Sequence, residues 1–193
     1  MLDGQVDRLH TLIGRIATDF SSVEGLWYLT FTCLLPNTPR AAIDTIFDKF
    51  RSGRQQRGLI LSVAGAVLPA DSALLQSIKT HAKRTWEAAD RRNDAIHSVI
   101  HVAHYTIPPT ISAMGIAKRS VLADKDIPAE IASLYRTVAI LELDMNALRL
   151  DAIQFANADR QLQRERQQLE SARLSVLQNF ETDPILRAVE GRP

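Results

Sequence analysis

Disulfide chemistry is closed to this chain, because its 193 residues include one cysteine, Cys33. A lone thiol makes no internal bridge and no thiolate metal cage, and beside Leu34 in an apolar run it reads as an inert buried side chain. Turn-formers are scarce, with eight Gly and eight Pro, and aromatics reach only 6%. That composition argues against an all-β sandwich or barrel and against a collagen-like chain. Charge of one sign is also lacking: 23 Lys and Arg face 22 Asp and Glu. The chain as a whole is therefore no strongly basic nucleic-acid module, although a local patch stays open. The longest apolar runs, Leu26 to Leu35 and Leu59 to Ala70, fall short of the ~20 residues that span a bilayer, so no membrane partner is expected. The opening Met-Leu-Asp-Gly-Gln-Val-Asp-Arg has neither a basic lead nor an apolar signal core, which predicts a cytoplasmic protein. There is no Gly-rich phosphate loop and no G-x-S-x-G setting, and no cofactor is expected.

Long helical stripes fill the space these absences leave. Val6, Leu9, Ile13, Ile16, Phe20, Val23, Trp27, Thr30 and Leu34 recur at spacings of three and four, which predicts one helix from about Asp3 to Leu35. Ser21 with Glu24 offers a capping box at which it could restart. Thr38-Pro39 reads as an N-cap followed by proline at the first helical position. A second helix follows, with Ile43, Ile46, Phe47 and Phe50 inward. A third, about Arg54 to Leu68, carries Leu59, Ile60, Val63 and Val67; its Gly58 and Gly65 weaken it, so close packing has to support it. The fourth is expected to run from Ser72 into the His101 region on the stripe Leu75, Ile78, Ala82, Thr85, Ala89, Arg92, Ile96 and Val99. Its sixth member is a cation, which on a seam needs a partner, a cavity mouth or an interface.

Pro108, Pro109 and Gly115 punctuate residues 102 to 124, an irregular connection with room for a short strand at Tyr105-Thr106-Ile107. Asp126 then caps a helix whose stripe is Ile131, Leu134, Val138, Leu141, Met145, Leu148, Ala152 and Phe155. Helicity is expected to continue through the polar stretch after Ala158, either broken near Asn157 or projecting as an arm that pairs with another chain. The fold class expected is all-α: an up-and-down antiparallel bundle of four to five helices over residues 1–156, with a helical extension and flexible tail over 157–193.

One short motif bears on chemistry: Arg92-Asn93-Asp94-Ala95-Ile96-His97, an R-x4-H pattern in the form R-N-x-x-x-H. With Trp86 six residues before Arg92, and with Gly25-Leu26-Trp27-Tyr28-Leu29 and Phe47-Asp48-Lys49-Phe50-Arg51 upstream, the chain resembles small bacterial members of the HEPN superfamily of helical bundles. The resemblance covers about residues 5 to 155. It departs at Ser98, where many relatives carry Gly. It implies a metal-independent endoribonuclease that works as a homodimer, or an inactive RNA- or nucleotide-binding relative, commonly in toxin or defence systems. RNA and an antitoxin-type protein are the partners so implied.

The chemistry is physically sensible. Metal-free RNA cleavage needs a base, an acid and a cation for the phosphorane charge. Imidazole, with a free pKa near ~6.5, supplies the first two, and guanidinium presents a planar fork to phosphate. Arg92, Asn93 and His97 are the catalytic candidates. Asn93 and His97 lie at i and i+4, while Arg92 is offset by about 140° at 100° per residue, so its side chain would have to curl toward their cleft. Lys83, Arg84, Arg91 and Ser98 are the lesser RNA-binding candidates. A metal reading competes, with His97, His101 and His104 at i, i+4 and i+7 on one helical face. Lys49, Arg51, Arg54 and Arg57 form a basic cluster that reads as a solvated turn beside Asp48, within reach of an RNA backbone. A non-enzymatic interaction module, with a motif that only holds the helices together, is the remaining alternative.

Overall fold

The structure, a computed structural model, describes residues 2–103, 109–115 and 126–182. It is mostly helical. The order is α1 (Leu2–Leu34), α2 (Arg40–Phe47), α3 (Gly53–Val67), α4 (Ala73–Ile96), β1 (Ser98–Ala103), β2 (Thr110–Gly115) and α5 (Ile127–Thr182).

α1 is the central element. Its stripe from Leu9 through Ile16, Phe20, Val23, Trp27, Thr30 and Leu34 is buried, joined by Leu26 and Phe31. No restart occurs at Ser21, whose hydroxyl donates back to the Ala17 carbonyl and leaves the helix continuous. Pro36 lies just beyond its end. Thr38 does not cap α2: the N-cap position falls on Pro39, without a side-chain hydrogen bond. α2 is held to α1 instead by Tyr28, whose hydroxyl donates to Asp44 and whose ring meets Phe47 edge-on at 5.0 Å.

Serine starts the next two helices. Ser52 accepts from the Gln55 N–H and Ser72 from the Leu75 N–H. Both satisfy first-turn donors that would otherwise lack partners. In α3 the buried residues are Arg57, Ile60 and Ala64, so the inward face is rotated from the expected one. Nothing approaches Gly58 or Gly65 closely, and neither glycine serves a helix contact.

α4 crosses its neighbours through paired side chains. Trp27 Nε1 donates to Thr85 Oγ1 at 3.1 Å, and the Arg92 guanidinium sits 4.7 Å from the Phe20 ring centroid. Arg84 reaches Asp144 at 2.7 Å and Arg91 reaches Glu130 at 3.0 Å. In each set, rising numbers on α4 meet falling numbers on its neighbour, so α4 runs opposite to both α1 and α5.

α4 is shorter than expected. It stops at Ile96, and His97 takes the C-cap position with φ −90° and ψ 7°. The β-branched run after Ser98 leaves the helix and enters a strand. β1 and β2 pair antiparallel in the register Ser98↔Gly115 to Ala103↔Thr110. Buried Ile100 and Ala113 face each other across the pair and join the core beside α1. Two strands alone are barely stable in water, so the hairpin depends on that contact. Tyr105, Thr106 and Ile107 lie outside the described residues.

Asp126 caps α5 as anticipated, accepting from the Ala129 N–H at 3.2 Å. α5 passes Asn157 without a break and continues to Thr182, 56 residues or roughly 84 Å at 1.5 Å per residue. Its stripe from Ile131 to Ala152 is buried as expected, and among the described residues the last buried member is Ala156.

Thr85 is the polar member of the core whose removal is easiest to read. Its hydroxyl donates to the His81 carbonyl and accepts from the Trp27 indole. Thr85→Val keeps the shape and strands that buried N–H, so urea unfolding is expected to show a loss of about 1–3 kcal/mol.

Candidate functional site

Three successive turns of α1 present Phe20, Glu24 and Trp27 toward α3 and α4. Each meets a named partner. Phe20 carries the Arg92 guanidinium on its ring, and Trp27 bonds Thr85. Glu24 lies 3.7 Å from Arg57 Nη1, an ion pair whose side chains are 39% and 4% exposed respectively.

Above this row lies a cavity of about 280 Å³. α1 contributes Glu24. The start of α3 contributes Ser52, Gly53, Arg54 and Arg57. α4 contributes Trp86, Ala89, Asp90, Arg92 and Asn93. The cavity thus opens at the N-terminus of α3, where first-turn N–H groups and the helix dipole favour an anion. Three of its wall residues hold buried donors without a hydrogen-bond partner: Arg57 Nε, Arg92 Nε and Trp86 Nε1. Such donors cost free energy unless something accepts from them.

Arg57 is 3% exposed, an unusual burial for a guanidinium. Burial pushes its pKa below the ordinary arginine value. The charges of Arg92 and Arg54 push the same way, while Glu24 and Asp90 oppose them. Arginine is still protonated at neutral pH, so α3 holds a real positive charge inside the protein. The pairing with Glu24 is longer than a hydrogen bond and therefore only partly offsets the burial.

The residues singled out from the sequence separate. Arg92 and Asn93 line the cavity together. His97 does not: it is exposed at the end of α4, linked to Asn93 through the main chain, its N–H donating to the Asn93 carbonyl. Arg92 turns inward onto Phe20 rather than curling along α4 toward His97. Arg84 and Arg91 face α5, where Arg91 also reaches Ser133 and Thr137, so both act as clamps between helices. Lys83 is exposed on the surface. The Ser98 hydroxyl donates to the Asp94 carbonyl at 2.6 Å.

The histidine stripe does not form, because a metal-ligand spacing of i and i+4 requires a helix and the chain after His97 is a strand. His101 sits on β1, and His104 lies outside the described residues. Among the described residues no group of three or more His, Cys, Asp or Glu side chains is placed to hold a metal ion.

Arg57 and Trp86 were read differently from sequence. Arg57 belonged to a solvated basic turn, yet it shares a 3–4 spacing with Ile60 and Ala64, and that spacing marks the buried face. A tryptophan at or beside a helical seam, as Trp86 is, is expected in the core. It is half-buried and forms the cavity wall. Arg51 and Lys49 do remain exposed.

No family model matches the chain, and no curated protein or solved structure matches it either. Among the described residues no helix is long and apolar enough to cross a membrane.

Whether Arg57 is kept for stability can be measured. Replacing a buried charge by an apolar side chain of similar length is often neutral or stabilising, whereas removing its counter-charge is costly. Arg57→Met is therefore expected to hold or raise the urea midpoint, because the half-exposed Glu24 can turn to water. Glu24→Gln is expected to lower stability by up to about 3 kcal/mol, less than for a fully buried pair.

Proposed function

We propose that this chain is a HEPN-like helical bundle protein that binds RNA or a nucleotide through a phosphate group held in the cavity between α1, α3 and α4. One observation carries the reading: Arg92 and Asn93, the first two members of the R-N-x-x-x-H motif, open into the same cavity as buried Arg57, and the Nε atoms of both arginines lack hydrogen-bond partners. A guanidinium fork left with free donors is suited to phosphate oxygens. The resemblance to a toxin or defence nuclease belongs to this proposal, as does the homodimer.

Cleavage asks more of the geometry than binding does. His97 is the residue that would take the 2′-hydroxyl proton or protonate the leaving oxygen, with Arg92 stabilising the phosphorane. Within one chain His97 stands outside the cavity, so the reading assigns catalysis to a two-fold assembly in which a second copy brings its histidine to the phosphate. The test uses labelled single-stranded RNA in the presence of EDTA. Binding is expected to fall about tenfold or more in Arg92→Gln, the scale of losing one charge-assisted contact. Chelator-resistant cleavage, where found, is expected to vanish in His97→Ala while binding persists. Unchanged RNA affinity in a folded Arg92→Gln protein defeats the proposal.

A second reading, a non-enzymatic assembly module, is favoured by the outer face of α5. Ile140, Leu143 and Leu150 there are 52%, 71% and 53% exposed, at the three-and-seven spacing of a helical seam. Leu143→Glu is expected to leave the fold intact. Light scattering that shows a smaller oligomer for this variant than for the parent would favour assembly through that face.

A further inference from the structure

The carboxylate of Glu24 lines the cavity at the start of α3. It lies beside the first turn of α3, against Gly53 and near Arg57 Nη1; a Cβ added at Gly53 would collide with Glu24 Oε1. The glycine therefore leaves open a space that the carboxylate fills. Arg57, 3% exposed, lines the same cavity, and its Nε is without a hydrogen-bond partner. The Glu24 side chain is 39% exposed and has a route to water.

We propose that Glu24 is an exchangeable occupant of this seat, and that a terminal phosphate (a phosphomonoester) displaces it to bind Arg57, Arg92 and the α3 N-terminus. This rests on the reading of the cavity as a phosphate site and specifies both the ligand group and how the empty site is kept closed. Charge selects the monoester. Arg54, Arg57 and Arg92 line the cavity together with Glu24 and Asp90. With Glu24 turned outward, two positive charges stand unmatched. A monoester carries close to two negative charges at neutral pH and an internal phosphodiester carries one. The dianion also offers three terminal oxygens to the unpartnered Nε donors, to the Arg57 Nη1 that Glu24 vacates and to the first-turn N–H groups. Glu24 then does two jobs at different times. It compensates Arg57 when the cavity is empty, and it repels an anion too weak to replace it.

The test titrates the full-length protein with inorganic phosphate, adenosine 5′-monophosphate, and one single-stranded RNA prepared with and without a 5′-phosphate. Calorimetry gives affinity and thermal unfolding gives stabilisation. Phosphate and at least one monoester are expected to bind the parent protein. Glu24→Gln, relieved of the competing charge, is expected to bind them about tenfold more tightly or better. Its lowered unfolding temperature is expected to recover with added phosphate more than the parent's rises. Gly53→Ala, which fills the seat, and Arg57→Met are expected to bind more weakly by a similar factor while retaining the parent's circular dichroism. Comparing the nucleotide with the phosphorylated RNA end identifies the source. Equal or weaker phosphate binding in Glu24→Gln overturns the exchange, and equal affinity for RNA with and without its 5′-phosphate overturns the monoester. RNA binding that depends on Arg92 but ignores Glu24 removes this inference and leaves the proposed function standing. Phosphate binding that follows Glu24, with no RNA or nucleotide affinity, does the reverse.

Discussion

The site depends on one constraint: α1 is a single unbroken stripe, and every other helix takes its place by what it sets against that stripe. Phe20, Glu24 and Trp27 occupy successive turns. The apolar rings on either side are buried, and they hold Glu24 at a fixed height between them. α4 is fixed at the same height by Trp27 on Thr85 and by Arg92 on Phe20. α3 is fixed by the buried Arg57 guanidinium, which pairs with the Glu24 carboxylate. Hydrophobic burial supplies the bulk of the attachment, and these polar contacts set the register. A helix break in α1 near Ser21 would have separated the three partners. The back-bonded hydroxyl of Ser21 shows the local chain accommodating serine inside the helix instead.

Much of the helical framework was legible in the sequence. The stripes of α1 and α5 were readable because each extends for several heptads, so a few exceptions do not disturb the period. Leu34 and Leu148, far along their stripes, are buried where the spacing put them. The end of α4 was misplaced for a definite reason. Val99 continues the helical spacing, but the Val99-Ile100-His101-Val102 run is rich in β-branched side chains that suit a strand, and pairing with β2 decides in favour of the strand. Short apolar runs carry both periods and tertiary contacts choose between them. Arg57 was missed because burial of an arginine runs against residue-type expectation. Its spacing with Ile60 and Ala64 was present, but a basic cluster at a turn suggested solvent.

The motif itself divided on folding. Arg92 and Asn93 entered the cavity and His97 stayed at the surface, because the helix ended one residue before the histidine. Spacing along a helix locates side chains only while the helix lasts. The neighbouring cations divided as well. Arg84 and Arg91, which add to a basic stretch in the sequence, are spent on Asp144 and Glu130 and fasten α4 to α5. Of the positive charge left to the cavity, α4 supplies Arg92 alone, and Arg54 and Arg57 come from an element at least 35 residues earlier in the chain. Charge counted along one helix therefore said little about the field at the site.

The far half of α5 has a mechanical consequence. Beyond Ala156, the last buried residue described, the helix runs on for 26 residues to Thr182, about 39 Å at the helical rise. Asn37 and Arg160 brace its base, through Asp159 Oδ2 at 2.9 Å and the Pro36 carbonyl at 3.5 Å. A continuous helix braced in this way behaves as a stiff spar. Its tip stands at a set reach from those braces, and any displacement of it is transmitted first to the α1–α2 turn.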